Sequence, residues 1–336
     1  MDTTDTTRSA GVALALALAL GCQSAANRPP PDTRPARRAT ALAPATGAEA
    51  GAAQDAGETP VPRAAPKVSG TDVVAMVADQ PVLASELLGA WLFRESPSVR
   101  TYLEEVILSR LVAAEARRFE IELDPQLVSE ALRETFAQMK VEVQENGAGL
   151  TLDQFIERRL GLDPETYRAR VRAEKLVDLL AERCVRAWLL ENERAEVRVI
   201  VLDTADAVDE VRRRLAAGED FAELARELSI EDSGVDGGRM PPVVRSNVAL
   251  ARLAFATPVG EVGGPIVEQD RTLFLKVDAR PAALEGTWAE IGQAVEASLE
   301  VTSIEDPEYW QWKDAMLDRY EVDMSPFFGL VGEPLR

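Results

Sequence analysis

The stretch Leu215-Ala216-Ala217-Gly218-Glu219-Asp220-Phe221-Ala222-Glu223-Leu224-Ala225 decides the fold, together with four motifs downstream of it: Leu228-Ser229, Gly237-Gly238, Ala254-Phe255 and Gly260-Glu261-Val262-Gly263-Gly264-Pro265-Ile266. It lies in a segment that opens at Glu196, where the apolar period becomes two and Val197, Val199 and Val201 alternate as a strand. Ala207 to Leu215 and Phe221 to Leu228 read as helices, Asp232 to Gly238 as a Gly-rich loop, and Leu250 to Phe255 as a short helix. Pro265 to Val267 and Thr272 to Val277 read as strands. The order β-α-α-β-α-β-β over 196–279 predicts a compact α+β unit.

Outward from this unit the pattern is helical. Val73 to Val77 is a short apolar strand, followed by a turn at Asp79-Gln80-Pro81. Ser85 caps a helix carrying Leu87, Leu88, Trp91 and Leu92. Ser96-Pro97 opens a second helix, with proline at its first position. Asp124-Pro125 opens a third, ending near Asn146-Gly147; Thr151 starts a short fourth, stopped by Gly161. Asp163-Pro164 opens a long fifth through Trp188. Helices resume at Trp288–Glu300 and Asp306–Arg319, and Tyr320 to Met324 reads as a closing strand.

Composition removes whole classes of chemistry. The 336 residues include two cysteines and no histidine. A Ser-His-Asp triad, a Cys-His pair, a His-ligated metal and an imidazole proton shuttle are therefore excluded. Two cysteines make neither a disulfide framework nor a four-cysteine zinc site. The formal charge of −20 argues against a nucleic-acid partner, which calls for a basic field. No phosphate-binding loop appears, because Gly234 to Gly238 lacks the Lys-Ser/Thr pair. The reading invokes no cofactor and no metal. Cys184 lies in a helical pattern near Leu180 and Trp188 and reads as a small buried hydrophobe.

The first 69 residues hold seven basic and six acidic residues and no aromatic one, so they cannot build a core. Arg8 is a thin positive region before an apolar run from Gly11 to Leu20, too short to span a bilayer. The run ends in Leu18-Ala19-Leu20-Gly21-Cys22, which resembles a bacterial lipobox with Cys22 as the lipidated residue. Several acyl chains on Cys22 would anchor the chain stably. Residue 23 is Gln, not Asp, which favours an outer membrane if the host has two. Residues 23–69 contain eight prolines and 14 alanines and read as a disordered tether. As a coil it would reach on the order of 40 Å, and as extended polyproline about 145 Å.

In order and spacing, the motifs between Leu215 and Ile266 resemble a parvulin-type peptidyl-prolyl isomerase domain. The flanks, Val73 to Leu87 and Trp310 to Met324, resemble the helical domain of SurA/PrsA-type extracytoplasmic foldases. That resemblance implies an α+β fold: a helical, chaperone-like domain formed by N- and C-terminal segments, with an inserted parvulin-like domain of antiparallel sheet and helices. It implies a signal peptide at 1–22, a tether at 23–69, a helical domain at 70–194 completed by 284–325, a parvulin-like domain at 195–283 and a tail at 326–336. In the family the last strand pairs near the first.

Parvulins resemble one another in two histidines on adjacent central strands, a facing Cys or Asp, and a Met/Phe proline socket. Position by position, the histidines fall on Val199 and Leu273, the socket Phe on Leu250 and the socket Met on Ser246, with Phe255 at the end of the same helix. The acidic position falls on Glu231 or Asp232, and counting back from Gly237-Gly238 favours Asp232. The usual Gly-Gly-Asp-Leu-Gly reads Gly237-Gly238-Arg239-Met240-Pro241. Scaffold motifs survive while pocket residues do not, since valine and leucine neither donate nor accept hydrogen bonds. The resemblance therefore implies a lipid-anchored, periplasmic or extracytoplasmic chaperone or foldase that binds unfolded or proline-containing exported polypeptides, with weak or absent isomerase activity. Helix faces around Trp91, Leu92, Tyr102 and Phe136 are candidate contacts. The alternatives are an active peptidyl-prolyl isomerase and a non-catalytic envelope tether.

Overall fold

The computed structural model describes residues 68–146, 149–268 and 270–332. The signal segment, Cys22 and all but the last two residues of the expected tether lie outside the described residues. The chain divides into two compact units: 68–110, 123–179 and 324–332 form one, and 111–122 with 180–323 form the other.

The first unit opens with a hairpin of β1 (Val73–Val77) and β2 (Gln80–Leu83). Its turn sits at Ala78-Asp79, with Ala78 at a φ of 52°, so Gln80 and Pro81 belong to a strand rather than to the expected turn. Helix α1 (Ala84–Phe119) starts where Glu86, not Ser85, accepts the Leu83 N–H at 2.7 Å. It breaks at Glu95 (φ −139°, ψ 46°), two residues before Pro97, which brings no N–H and crowds the preceding turn. The break separates two helices, as Ser96-Pro97 implied.

The remaining helices of this unit start and stop at their signals. Asp124 accepts the Gln126 N–H at 2.8 Å ahead of α2 (Pro125–Asn146). Thr151 and Gln154 form a capping box on α3 (Leu152–Phe155), which continues as a π-helical turn to Leu160 and ends at Gly161, φ 67°. Asp163 accepts the Thr166 N–H at 2.7 Å at the start of α4 (Pro164–Glu191). The core is Val143, Leu152 and Ile156, packed by Phe136, Met139, Phe155 and Tyr167.

The second unit is built on β3 (Arg194–Leu202), β4 (Val243–Val244), β5 (Val262–Glu268) and β6 (Arg271–Ala279), in the antiparallel order β4-β3-β6-β5. Helices α5 (Ala205–Ala216) and α6 (Phe221–Leu228) follow β3, and α7 (Ala249–Ala256) follows β4. The two-residue period of a strand sorts the core. Val197, Val199, Val201, Leu275 and Val277 pack with Ala251 and Ala254 of α7. Ile200, Leu202 and Phe274 pack with Val211, Phe221, Leu224 and Ala225 of α5 and α6. Each large aliphatic or aromatic side chain fully buried this way stabilises by about 1.5–3 kcal/mol.

Helices α8 (Trp288–Val301) and α9 (Asp306–Arg319) complete this unit. Glu305, rather than Asp306, caps α9 through a box with Glu308. Buried Glu115 accepts from Arg118 at 2.9 Å, Arg319 at 3.0 Å and the Tyr320 hydroxyl at 2.7 Å. Burial by itself would raise the Glu115 carboxyl; hydrogen bonds from Arg118 and Tyr320 and the two guanidinium charges outweigh it and hold it below the usual carboxylate range. Burial and the bond to Glu115 push the Tyr320 phenol up to about 12.

The expected strand at Tyr320–Met324 is absent. The N–H groups of Tyr320 and Val322 go to the Met316 and Leu317 carbonyls, and Glu321 sits at a φ of 48°, so these residues close α9 instead of pairing. A further helix, α10 (Ser325–Val331), follows. Cys184 is buried, donates weakly to the Val112 carbonyl at 3.6 Å, and has its thiol pKa pushed well up by burial.

Candidate functional site

The Gly-rich segment runs beside β3. The Val199 N–H donates to the Gly238 carbonyl at 2.7 Å, and the Met240 N–H donates to the Val197 carbonyl at 3.1 Å. Gly238 has a φ of 76°, and a Cβ there would lie 2.2 Å from the Val199 oxygen, so the backbone approach itself demands glycine. The Leu228-Ser229 motif has a similar structural cause. The Val201 N–H donates to Ser229 Oγ at 3.2 Å, and the Ile230 N–H donates to the Val201 carbonyl at 2.9 Å. The Asp220 carboxylate accepts the N–H groups of Ala222 and Glu223 at 2.9 and 3.1 Å and starts α6. The motifs that carry the resemblance are thus scaffold devices.

Of the expected pocket residues, the structure brings four together. Val199 is 1% exposed and lies opposite Leu275 across the β3–β6 pair. Leu273, half-buried, lies opposite Val201 on the same face. Leu250 and Phe255 reach this layer from α7. Ser246 and Asp232 do not join it. Ser246 is exposed in the loop before α7. Asp232 is exposed at the start of a 3-10 turn, and its carboxylate has no hydrogen bond or ion pair among the described residues.

Two members of the layer were missed from the sequence: Met240 and Leu253, both half-buried against it. Leu253 follows Leu250 by three, one helical turn, which was the available signal. Two arginines were missed as well. The Arg245 guanidinium lies over the Phe255 ring, 4.1 Å from its centroid, and Arg280 lies 5.5 Å from the same centroid. Arg245 is ion-paired with Glu193, while Arg280 donates to the Ala254 carbonyl at 2.6 Å and to that of Thr257. Nothing in their spacing marks these arginines, since basic residues in loops read as solvated.

The half-buried side chains of Met240, Leu250, Leu253, Phe255 and Leu273 form a hydrocarbon and thioether seat. It can desolvate and pack an apolar group, but its side chains cannot donate or accept a strong hydrogen bond. Among the described residues no group of three or more Cys, Asp or Glu side chains is placed to hold a metal ion.

No family model matches the chain. The foldase protein PrsA of Oceanobacillus iheyensis is 27% identical over 105 residues, which are 30% of this chain and only 35% of that relative's length. Among solved structures, the peptidylprolyl isomerase PrsA of Bacillus anthracis aligns over 67% of this chain and 99% of its own, at 13% identity and a TM-score of 0.33. The parvulin domain of PpiD from Escherichia coli aligns over 27% of this chain and 92% of its own, at 26% identity and a TM-score of 0.25. The resemblance is to PrsA-type foldases with a parvulin-type domain.

Proposed function

We propose that the chain is a lipid-anchored, extracytoplasmic foldase or chaperone that holds unfolded exported polypeptides, its parvulin-like domain retaining weak or no isomerase activity. The observation that supports this reading best is the Val199 position: 1% exposed, in a layer of hydrocarbon side chains, with its N–H committed to Gly238. Rotation about an X-Pro bond faces a barrier of roughly 20 kcal/mol. Lowering it requires groups that favour the twisted imide over the planar one. The seat offers desolvation alone. A seat of this kind still suits holding apolar and proline-containing segments. The same desolvation favours a second reading, a slow but genuine isomerase.

In this reading Cys22 carries the anchor, and residues 23–69 keep the folded part clear of the membrane. The test is aggregation of two unrelated, chemically unfolded proteins diluted into buffer with the chain carrying Cys22→Ser. The expected result is suppression near equimolar ratio, weakened by Leu273→Asp. Aggregation unchanged by the chain would overturn the reading.

A further inference from the structure

The chain segments that follow β3 on either side of the Gly-rich loop differ in net charge. Residues 205–236, which hold α5 and α6, contain four basic and ten acidic residues. Residues 239–280, which hold α7 and the seat, contain six basic and four acidic residues, in a chain whose formal charge is −20. The segment that supplies the seat thus carries two more basic than acidic residues (6 against 4) in an acidic molecule.

Two of those basic side chains reach a seat residue. Arg245 and Arg280 are both stacked on Phe255, a seat residue. Arg280 also holds the Ala254 and Thr257 carbonyls at the end of α7, so its direction is set before any ligand arrives. Among the described residues it has no carboxylate partner. Arg245 has one, Glu193, but both side chains are more than half exposed, 59% and 64%. A pair that exposed contributes little and exchanges readily with a competing carboxylate.

We propose that Arg245 and Arg280 select, for the seat of Met240, Leu250, Leu253 and Leu273, extended polypeptide segments in which Asp or Glu flanks the apolar residues. This rests on the reading that the seat takes polypeptide. The apolar residues supply contact without sequence preference. The two guanidiniums supply the preference, as donors held in a planar fork that fits a carboxylate. The incoming carboxylate replaces Glu193 on Arg245 and gives Arg280 its first acidic partner.

The test is fluorescence anisotropy of the chain with two labelled peptides of equal length and the same apolar, proline-containing centre, one flanked by Asp and Glu, the other by Lys and Arg. The acidic peptide should bind about fivefold tighter at low salt. The ratio should shrink at physiological salt, as exposed charges are screened. Arg245→Glu should reverse it; this exposed position is the decisive variant, because changing Arg280 also strips two carbonyls of a donor. Equal binding of both peptides at low salt, or a preference unmoved by Arg245→Glu, would overturn the selection while leaving the seat as a polypeptide site. No binding of either peptide would overturn both. Binding of phosphatidylglycerol vesicles that Arg245→Glu abolishes, with no peptide preference, would also overturn it, in favour of a lipid surface.

Discussion

The two faces of the central sheet come from the same strands, with alternate residues, yet they do different work. On the α5/α6 face Ile200, Leu224 and Ala225 are 0% exposed, and the two helices close over them. On the α7 face Val199 is equally enclosed, but Met240, Leu250, Leu253, Phe255 and Leu273 around it stay half-buried, with two arginines over Phe255. One face is finished core. The other is core in its middle and a half-buried apolar rim at its edge, where Leu250, Phe255 and Leu273 lie. The difference teaches that the backbone can be shaped by glycines and a hydroxyl, Gly238 and Ser229, that take no part in the apolar layer beside them.

The comparison breaks first if truncation costs the same on both faces. Ile200→Ala or Leu224→Ala should lower unfolding free energy by about 3–4 kcal/mol, because no neighbour can refill a fully enclosed site. Leu273→Ala should cost about 1 kcal/mol, since water already reaches the rim. Urea denaturation measures both, and similar midpoints for the two variants would abolish the distinction.

Neither face contains a buried ionisable side chain, so the pH dependence of stability should come from elsewhere in the unit. Glu115 is the candidate, with Arg118, Arg319 and Tyr320 around it. Its carboxyl is depressed in the folded state, so its stabilisation is present above the ordinary value of 4.5 and is lost as pH falls through the lower folded value. Glu115→Gln should cost about 2–3 kcal/mol at neutral pH and flatten that acid limb. Tyr320 has the opposite sign. Its raised phenol stabilises below its ordinary value of 10, and that contribution is lost as pH rises toward about 12. A thermal melt series with Glu115→Gln that kept the wild-type acid limb would move the pH sensitivity back to the sheet.

A finer test places imidazoles at Val199 and Leu273, the positions to which the sequence resemblance points. Val199→His should cost about 2 kcal/mol, because the site is closed and the ring brings a polar group without a partner. Leu273→His, at the open rim, should cost under about 1 kcal/mol. The smallest effects belong to Asp232→Ala and Ser246→Ala, both exposed and outside the layer, which should stay within about 0.5 kcal/mol of wild type.

Most of the fold was legible in the sequence, because its signals are local. Asp124-Pro125, Thr151, Asp163-Pro164 and Gly161 start or stop helices where they stand, and the alternation of Val197, Val199 and Val201 places one face of β3 correctly. What failed depended on pairing or contacts that the local pattern does not carry. Tyr320 to Met324 has strand-forming residues, but Tyr320 is held by Glu115, 205 positions away, and its N–H closes α9. Pro81 read as a turn residue because its acceptance in an edge strand depends on the pairing with Met76. At the site, the resemblance pointed to Val199, Leu250, Phe255 and Leu273, which lie in one apolar layer. It could not place Ser246 outside the layer, or foresee two arginines stacked on Phe255, since neither feature follows from periodicity.

The proposed function has a hydrocarbon seat, at positions the resemblance gives to imidazoles, hold polypeptide without catalysing isomerisation. It is tested most directly by NMR exchange spectroscopy on a short X-Pro peptide with and without the chain. The account predicts a cis–trans exchange rate at or barely above the spontaneous one, with peptide binding still visible in line widths. Strong acceleration that Asp232→Ala removes would contradict it, and would mean that an exposed carboxylate outside the apolar layer does the chemistry.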